Sequence, residues 1–489
     1  MQNTNHNNLK KRAVTGMIWT ALQKYSTMII QFISGIILAR LLTPYDYGCI
    51  GMLTIFMVLA QCFIDGGFDS ALIQKKRPTR EDYSTIFFWN MGMAVLLYTI
   101  LYISAPYIAK FYNIPLLCDV LRVQGIILFI YAFNIVQRNQ LRKNLNFKFL
   151  SKVTIFTSVI SLTVTIIMAY LGYGVWSLVT QYILMSLIPA IIFWFYIKWR
   201  PIWTFSFQSF KELFGFGVYM FFGHLLSNFT HQLRGLLIGK FYNASIMGYY
   251  SRAYGTESMA SQSISQVLNQ VTFPLYAEVQ DDKILLSRMV KRLSTSIAFF
   301  TFPLMFMLIL AAEPLFLFLY SEKWLPSVPY FQILCLVGIG VCLQAVNLQT
   351  ISAIGKSRIM FIWSVIKQVT GLLFVVVGLL LGGMEGLLWG AVLHSWNCAF
   401  INMYLVSKYI GYRLMDQLSD LFPVVIATIL AFVVGYLFGL LTMSSMLATF
   451  FVKLFSFLAV YIGWAIFFKP DSFVFVKDYF FTKIYKRNK

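Results

Sequence analysis

About fourteen stretches of this chain, each 21 to 28 residues long and mostly apolar, though the eighth is unusually polar, are long enough to cross the hydrocarbon core of a bilayer as a helix. They fall at residues 14–39, 46–68, 84–105, 117–137, 151–171, 174–197, 213–239, 249–276, 289–312, 329–353, 359–381, 384–407, 421–441 and 447–468. Inside hydrocarbon every backbone N–H and C=O must find a partner within the protein, which leaves only helices or a closed barrel. The apolar runs are continuous rather than alternating with period two, so the expected fold is an all-α polytopic membrane protein. Composition agrees, with 59% hydrophobic and 12% charged residues and a mean hydropathy of +0.73.

The net charge of +21 is distributed in a way that explains it. The larger part of the 39 Lys and Arg residues lies at the N-terminus, in alternate connections and in the C-terminal tail. Examples are Lys10, Lys11 and Arg12, the run from Lys75 to Arg80, and Arg138, Arg142, Lys143, Lys148 and Lys152. The opposite connections hold few, chiefly Arg40, Lys110, Lys240 and Lys323. This asymmetry predicts both termini on the cytoplasmic side. Anionic lipid headgroups, not nucleic acid, are the expected neighbours of the positive charge. The polar start reads as retained, with the first apolar segment as its own insertion signal. Six cysteines, scattered without a CxxC, read as free thiols in apolar surroundings.

The chain also repeats itself. Gly35, Arg40 and Gly48 recur as Gly235, Lys240 and Gly248 at an offset of 200, and "YAFN" from Tyr131 resembles "QAVN" from Gln344 at a slightly longer one. Residues 1–200 and 201–410 are therefore expected to be two six-helix lobes, with 411–489 adding two helices and a cytoplasmic tail. An even number of crossings per copy makes the copies parallel, related by a pseudo-two-fold along the membrane normal and facing a central cavity.

Polar residues mark the inward faces. At 100° per residue, Lys24, Thr27, Gln31 and Ser34 share one side of the first segment. Through the repeat they correspond to His224, Ser227, His231 and Arg234 of the seventh, where Asn228 widens the stripe. The second segment carries Thr54, Gln61, Asp65 and Asp69 on one face, and the eighth carries Ser258, Gln262, Ser265 and Asn269, with Arg252 and Glu257 near its start. Polar and ionisable groups inside a membrane segment face a protein-lined or water-filled interior. The candidate interior is net basic (Lys24, Arg234, Arg252, and the lone Lys367), which favours an anionic guest such as a diphosphate. For several of these residues two readings stand. Lys24 either snorkels or faces the interior, and Arg234 and Arg252 meet either a guest or lipid headgroups. Asp65 and Asp69 either cap a cytoplasmic helix end or, with Glu257, balance charge and couple to an ion. His224 and His231 lack a third ligand, so no metal site is expected.

No phosphate-binding glycine loop, HExxH or G-x-S-x-G occurs, so ATP-driven pumping is not encoded here and an enzyme is not expected. The stretches Leu38–Lys75, Tyr249–Asp282 and "NLQTISAIGKSR" from Asn347 resemble Wzx-type polysaccharide and oligosaccharide flippases, nearest the branch for colanic and teichuronic acid export. That group lies within the multidrug/oligosaccharidyl-lipid/polysaccharide transporter superfamily. The resemblance implies an inner-membrane flippase that moves undecaprenyl-diphosphate-linked repeat units by alternating access, for O-antigen, capsule or exopolysaccharide assembly. It implies no bound cofactor, an H+ or Na+ gradient as driving force, and a polysaccharide polymerase and chain-length regulator as partners. Two alternatives follow: an ion-coupled multidrug antiporter of the same superfamily, against which a basic cavity counts, and a membrane polymerase or ligase, which would need a long outward catalytic loop that this chain lacks.

Overall fold

The computed structural model describes residues 2–441, 446–471 and 473–474, and among them the chain is helical without strands. In order the helices are α1 (Gln2–Leu41), α2 (Pro44–Asp65), α3 (Phe68–Gln74), α4 (Arg80–Tyr112), α5 (Leu116–Gln124), α6 (Ile126–Lys143), α7 (Phe147–Tyr170) and α8 (Val175–Tyr196). There follow α9 (Phe207–Phe241), α10 (Ala244–Glu278), α11 (Lys283–Leu310), α12 (Ala312–Tyr320), a 3-10 turn at Glu322–Ser327, α13 (Val328–Ala353), α14 (Ser357–Ile410), α15 (Leu414–Leu441) and α16 (Met446–Phe468).

Eleven described spans are long and apolar enough to cross a membrane, against the fourteen or so expected. The difference has two sources. Ile359–Ile410 is a single span of 52 residues, but Gly382 and Gly383 inside α14 leave helical backbone. The chain reverses there: a Cβ on Gly378 would strike the Gly386 carbonyl, and one on Gly390 the Phe374 carbonyl. Such close approach of two helices needs residues without side chains. Helices α9 and α10, at 35 residues each, exceed the length of a crossing at about 1.5 Å per residue, and they carry polar stripes. Large apolar side chains such as Ile103, Tyr170, Leu381 and Phe467 are more than half exposed. That surface belongs against hydrocarbon, and the chain is a multi-pass membrane protein.

By backbone proximity the chain divides into Met1–Ser251 and Arg252–Lys489. In the first unit α1 lies along α7, where the Ser151 hydroxyl donates to the Trp19 carbonyl at 2.9 Å. Helix α9, which the repeat assigns to the second lobe, packs on α2, α3 and α4 within this first unit. The repeat is visible in the backbone itself. α1 and α9 end at Leu41 and Phe241, and α2 and α10 begin at Pro44 and Ala244. Both starts are capped from the same repeat position: the Thr43 hydroxyl accepts from the Asp46 N–H at 3.3 Å, and Asn243 Oδ1 accepts from the Ile246 N–H at 2.9 Å.

Those two helix starts cross at glycines, which answers why the glycines are written twice. A Cβ on Gly48 would strike the Ala244 carbonyl, and a Cβ on Gly248 would strike the Pro44 carbonyl. Since Ala244 corresponds to Pro44, each copy's glycine seats the first residue of the other copy's helix. In the second unit, α11, α15 and α16 share a core around Phe299, Phe457 and Tyr461, whose hydroxyl donates to the Phe299 carbonyl at 2.8 Å. A second cluster gathers Tyr276, Leu286, Cys342 and Leu405.

Candidate functional site

The polar residues of α2 are brought to α6 and α9 by a turn. Helix α2 stops at Gly66 and Gly67, both left-handed with φ of 55° and 79°. Glycine is required by that backbone, and also because Gly67 abuts the Gly217 carbonyl of α9. The turn swings α3 so that Asp65 Oδ1 accepts from the Asp69 N–H at 3.2 Å. Asp69 in turn pairs with Arg142 of α6 at 3.0 Å. Lys143, next in α6, donates to the terminal carbonyls of α3 at Leu72 (2.9 Å) and Ile73 (3.2 Å), and to the Lys75 carbonyl. A cation at the carbonyl end of a helix satisfies otherwise unpaired acceptors.

Above this network lies a pocket of about 270 Å³, lined by Gln61, Asp65 and Asp69 with Tyr131, His224 and Asn228 among others. Five of the predicted residues, Gln61, Asp65, Asp69, His224 and Asn228, thus meet in one place. Asp65 is within electrostatic reach of Arg138 and His224, and the Asn228 amide donates to Cys62 Sγ at 3.0 Å. Sequence reasoning used Arg138 and Arg142 only as topological charge. A signal was present: Tyr131, Arg138 and Arg142 are spaced i, i+7 and i+11, one face of α6.

The remaining predicted residues have separate settings. Lys24 is half-buried, and Gln31 and His231 are exposed. Thr27 turns its hydroxyl back to the Gln23 and Lys24 carbonyls of its own helix, at 2.9 and 3.0 Å, leaving it only acceptor capacity. Arg234 is buried at 9% exposure, its Nε finds no hydrogen-bond partner among the described residues, and His231 lies in its electrostatic reach. In the second unit, the Arg252 guanidinium lies over Tyr320 and Trp324, 4.9 and 5.1 Å from the ring centroids. Glu257 is 3% exposed and packs against Gly338. Lys367 donates to Asn402 across the α14 hairpin, and the Asn402 amide donates to the Gln344 carbonyl at 3.2 Å. The side chain of Asn269 lies outside the described residues.

Comparison with known proteins bears on this arrangement. The profile of a family described as "Polysaccharide biosynthesis protein" matches residues 37–329, a range that includes two of the three stretches carrying the sequence resemblance. The chain is 28% identical to the teichuronic acid biosynthesis protein TuaB of Bacillus subtilis over 73% of its own length and 74% of that protein's. It is 20% identical to the lipopolysaccharide biosynthesis protein WzxC of Escherichia coli over 68% of each chain. Of solved structures, the lipid II flippase MurJ in an inward closed conformation superposes with a TM-score of 0.72 at 16% identity, covering 93% of this chain and 99% of that one. An inward-facing multidrug transporter of the MATE family gives 0.59 at 14% identity, covering 82% and 99%. At these identities the two structures establish the fold.

Proposed function

The chain belongs to the polysaccharide biosynthesis protein family, and from that premise we propose that it is a flippase carrying polyprenyl-diphosphate-linked oligosaccharide units across the bacterial inner membrane. The observation that carries this reading is the polar pocket of the first unit, where Asp65, Asp69 and His224 are gathered among apolar helices with Arg138 and Arg142 close by. Ionisable groups gathered among apolar helices are costly unless a polar guest or water shares the space. Diphosphate and sugar would cross through the protein interior while the polyprenyl tail stays in hydrocarbon, which avoids bare charge in lipid.

In this reading the two repeats rock against one another and expose the interior to one leaflet at a time. Lys24 and Arg234 attract the diphosphate, and Asp65, Asp69 and Glu257 are the acidic groups open to proton or sodium coupling. Both termini lie in the cytoplasm, and a polymerase and chain-length regulator receive the exported unit. The test is translocation of a polyprenyl-diphosphate oligosaccharide in proteoliposomes, comparing wild type with Lys24→Ala and Arg234→Ala. Expected is protein-dependent flipping that both variants reduce at equal abundance. Folded protein that moves none of several chemically varied glycans, but exports cationic drugs, would replace this reading with the antiporter.

A further inference from the structure

The Asp65–His224 pocket has two kinds of wall. The α2–α3 turn and α6 are locked together by the Asp69–Arg142 pair and by Lys143 on the last carbonyls of α3. The other wall is α9, through Phe221, His224 and Asn228. At about 270 Å³ the pocket falls below the roughly 300–1,000 Å³ that drug-sized ligands take. A diphosphate-linked oligosaccharide is larger still, so admitting one requires a wall to move.

Two seams hold α9 in place, and they differ in kind. Toward its C-terminal end the seam is close packing: Gly239 abuts Met52 and Tyr112, and just beyond it Gly48 and Gly248 seat the crossed helix starts. Lys240 adds a bond to the Phe111 carbonyl at 3.1 Å. Toward its N-terminal end the seam is largely polar. Glu212 pairs with Lys75 at 2.9 Å, and Lys75 also holds Asp82 at 3.1 Å. In the connection that leads into α9, the Ile202 and Ser206 N–H groups donate to the Ser84 and Thr85 hydroxyls of α4, at 3.0 Å each. Water can take over each of these bonds, and the Glu212 side chain is already 61% exposed, so the net cost of parting them is small. Parting also hydrates the Trp89 indole N–H, which is buried at this seam without a partner among the described residues. What holds the seam shut is apolar and steric. Phe210 and Phe214 lie against Phe68 at 5.6 and 6.0 Å, Phe210 lies against Trp89 at 4.7 Å, and Gly217 rests on the backbone of Gly66 and Gly67.

We propose that the contact of the first turns of α9 with α3 and α4 is a latch: it parts at Lys75–Glu212 and Gly67–Gly217, α9 swings outward, and the Asp65–His224 pocket widens beside the basic connections that hold Lys75 and Lys211. The inference deepens the flippase reading by naming the wall that moves, and rests on it for the identity of the guest. Cys62 reports the motion without transport, because it lines the pocket from α2 and its sulfur accepts from the Asn228 amide of α9 at 3.0 Å. Alkylation of the full chain by N-ethylmaleimide, read by peptide mass spectrometry, is expected to accelerate at Cys62 by about fivefold or more in Gly217→Ala, whose Cβ would lie 3.2 Å from the Gly66 carbonyl oxygen. Glu212→Gln, a change at an exposed position, keeps the test valid should Gly217→Ala fail to fold, and should raise the rate about two- to fivefold. Gly215→Ala, whose methyl meets open space, should leave the rate at its wild-type value. Cys49, buried beside the other seam, should keep its rate in all three variants.

An unchanged Cys62 rate in either folded Gly217→Ala or folded Glu212→Gln, or a Cys49 rate that rises in parallel, would overturn the latch. In proteoliposomes, a water-soluble carbodiimide that joins the Glu212 carboxylate to the Lys75 amine as an amide should stop flipping in wild type but not in Glu212→Gln. Flipping undiminished by that cross-link would defeat the latch and leave the flippase reading standing. The expected Cys62 rates with no flipping of any glycan would support the latch and defeat the flippase reading.

Discussion

Replacing Gly48 by alanine places a methyl against the Ala244 carbonyl, a backbone group in the first turn of α10 that cannot rotate aside. The two helices must part there. Overpacking of this kind costs about 1–3 kcal/mol, equivalent to a roughly 5- to 150-fold shift toward states in which the contact is open. Gly248→Ala does the same against Pro44. Because both contacts join one pair of helices, the first substitution already separates the site of the second. The double variant should therefore cost clearly less than the sum of the singles, a coupling of the size found between contacting residues. Cys49, fully buried beside Gly48, is a native reporter. Its alkylation by N-ethylmaleimide, followed by peptide mass spectrometry, is expected to accelerate about 5- to 150-fold in either single variant and little further in the double. Folded Gly48→Ala protein with an unchanged Cys49 rate, or strictly additive singles, would refute the reciprocal seating of the two repeats.

Two other predictions follow from ion pairs and buried partners. Burial opposes the charge of Lys75, but hydrogen bonds to Glu212 and Asp82, at 2.9 and 3.2 Å, outweigh it and raise its pKa above the ordinary lysine range. A raised native value means that its contribution to stability is fully present below the unfolded lysine pKa of about 10.4 and is lost only as pH rises through the native one. Thermal stability should thus show no Lys75-dependent change between about pH 6 and 9, and the alkaline decline above about 10.4 should be reduced in Lys75→Met; identical alkaline profiles would contradict this. Lys367→Met removes the donor to the nearly fully buried Asn402, and an acceptor so stranded costs about 1–3 kcal/mol. A lowered unfolding midpoint is expected, and lost transport at unchanged stability would instead put Lys367 in contact with substrate.

Hydropathy alone showed an all-helical membrane chain, because in hydrocarbon the length of an apolar run decides whether it crosses and the backbone has no other way to bond, whereas the count of eleven described spans against about fourteen expected was not legible there. The offset of 200 was equally legible, since Gly35, Arg40 and Gly48 recur in register whatever the fold does with them. Counting charges by loop, however, treats Arg138 and Arg142 as labels of sidedness. Only the turn at Gly66 and Gly67 swings α3 against α6, pairs Arg142 with Asp69 and sets Arg138 near Asp65. Periodicity likewise put Lys367 on a helix without a partner, whereas Asn402, 35 residues on, reaches it once the chain reverses at Gly382 and Gly383. The recurrence of glycine was written in the chain. That each copy's glycine seats the other's helix start was decided by packing, because a missing Cβ acquires meaning only from the backbone that fills its place.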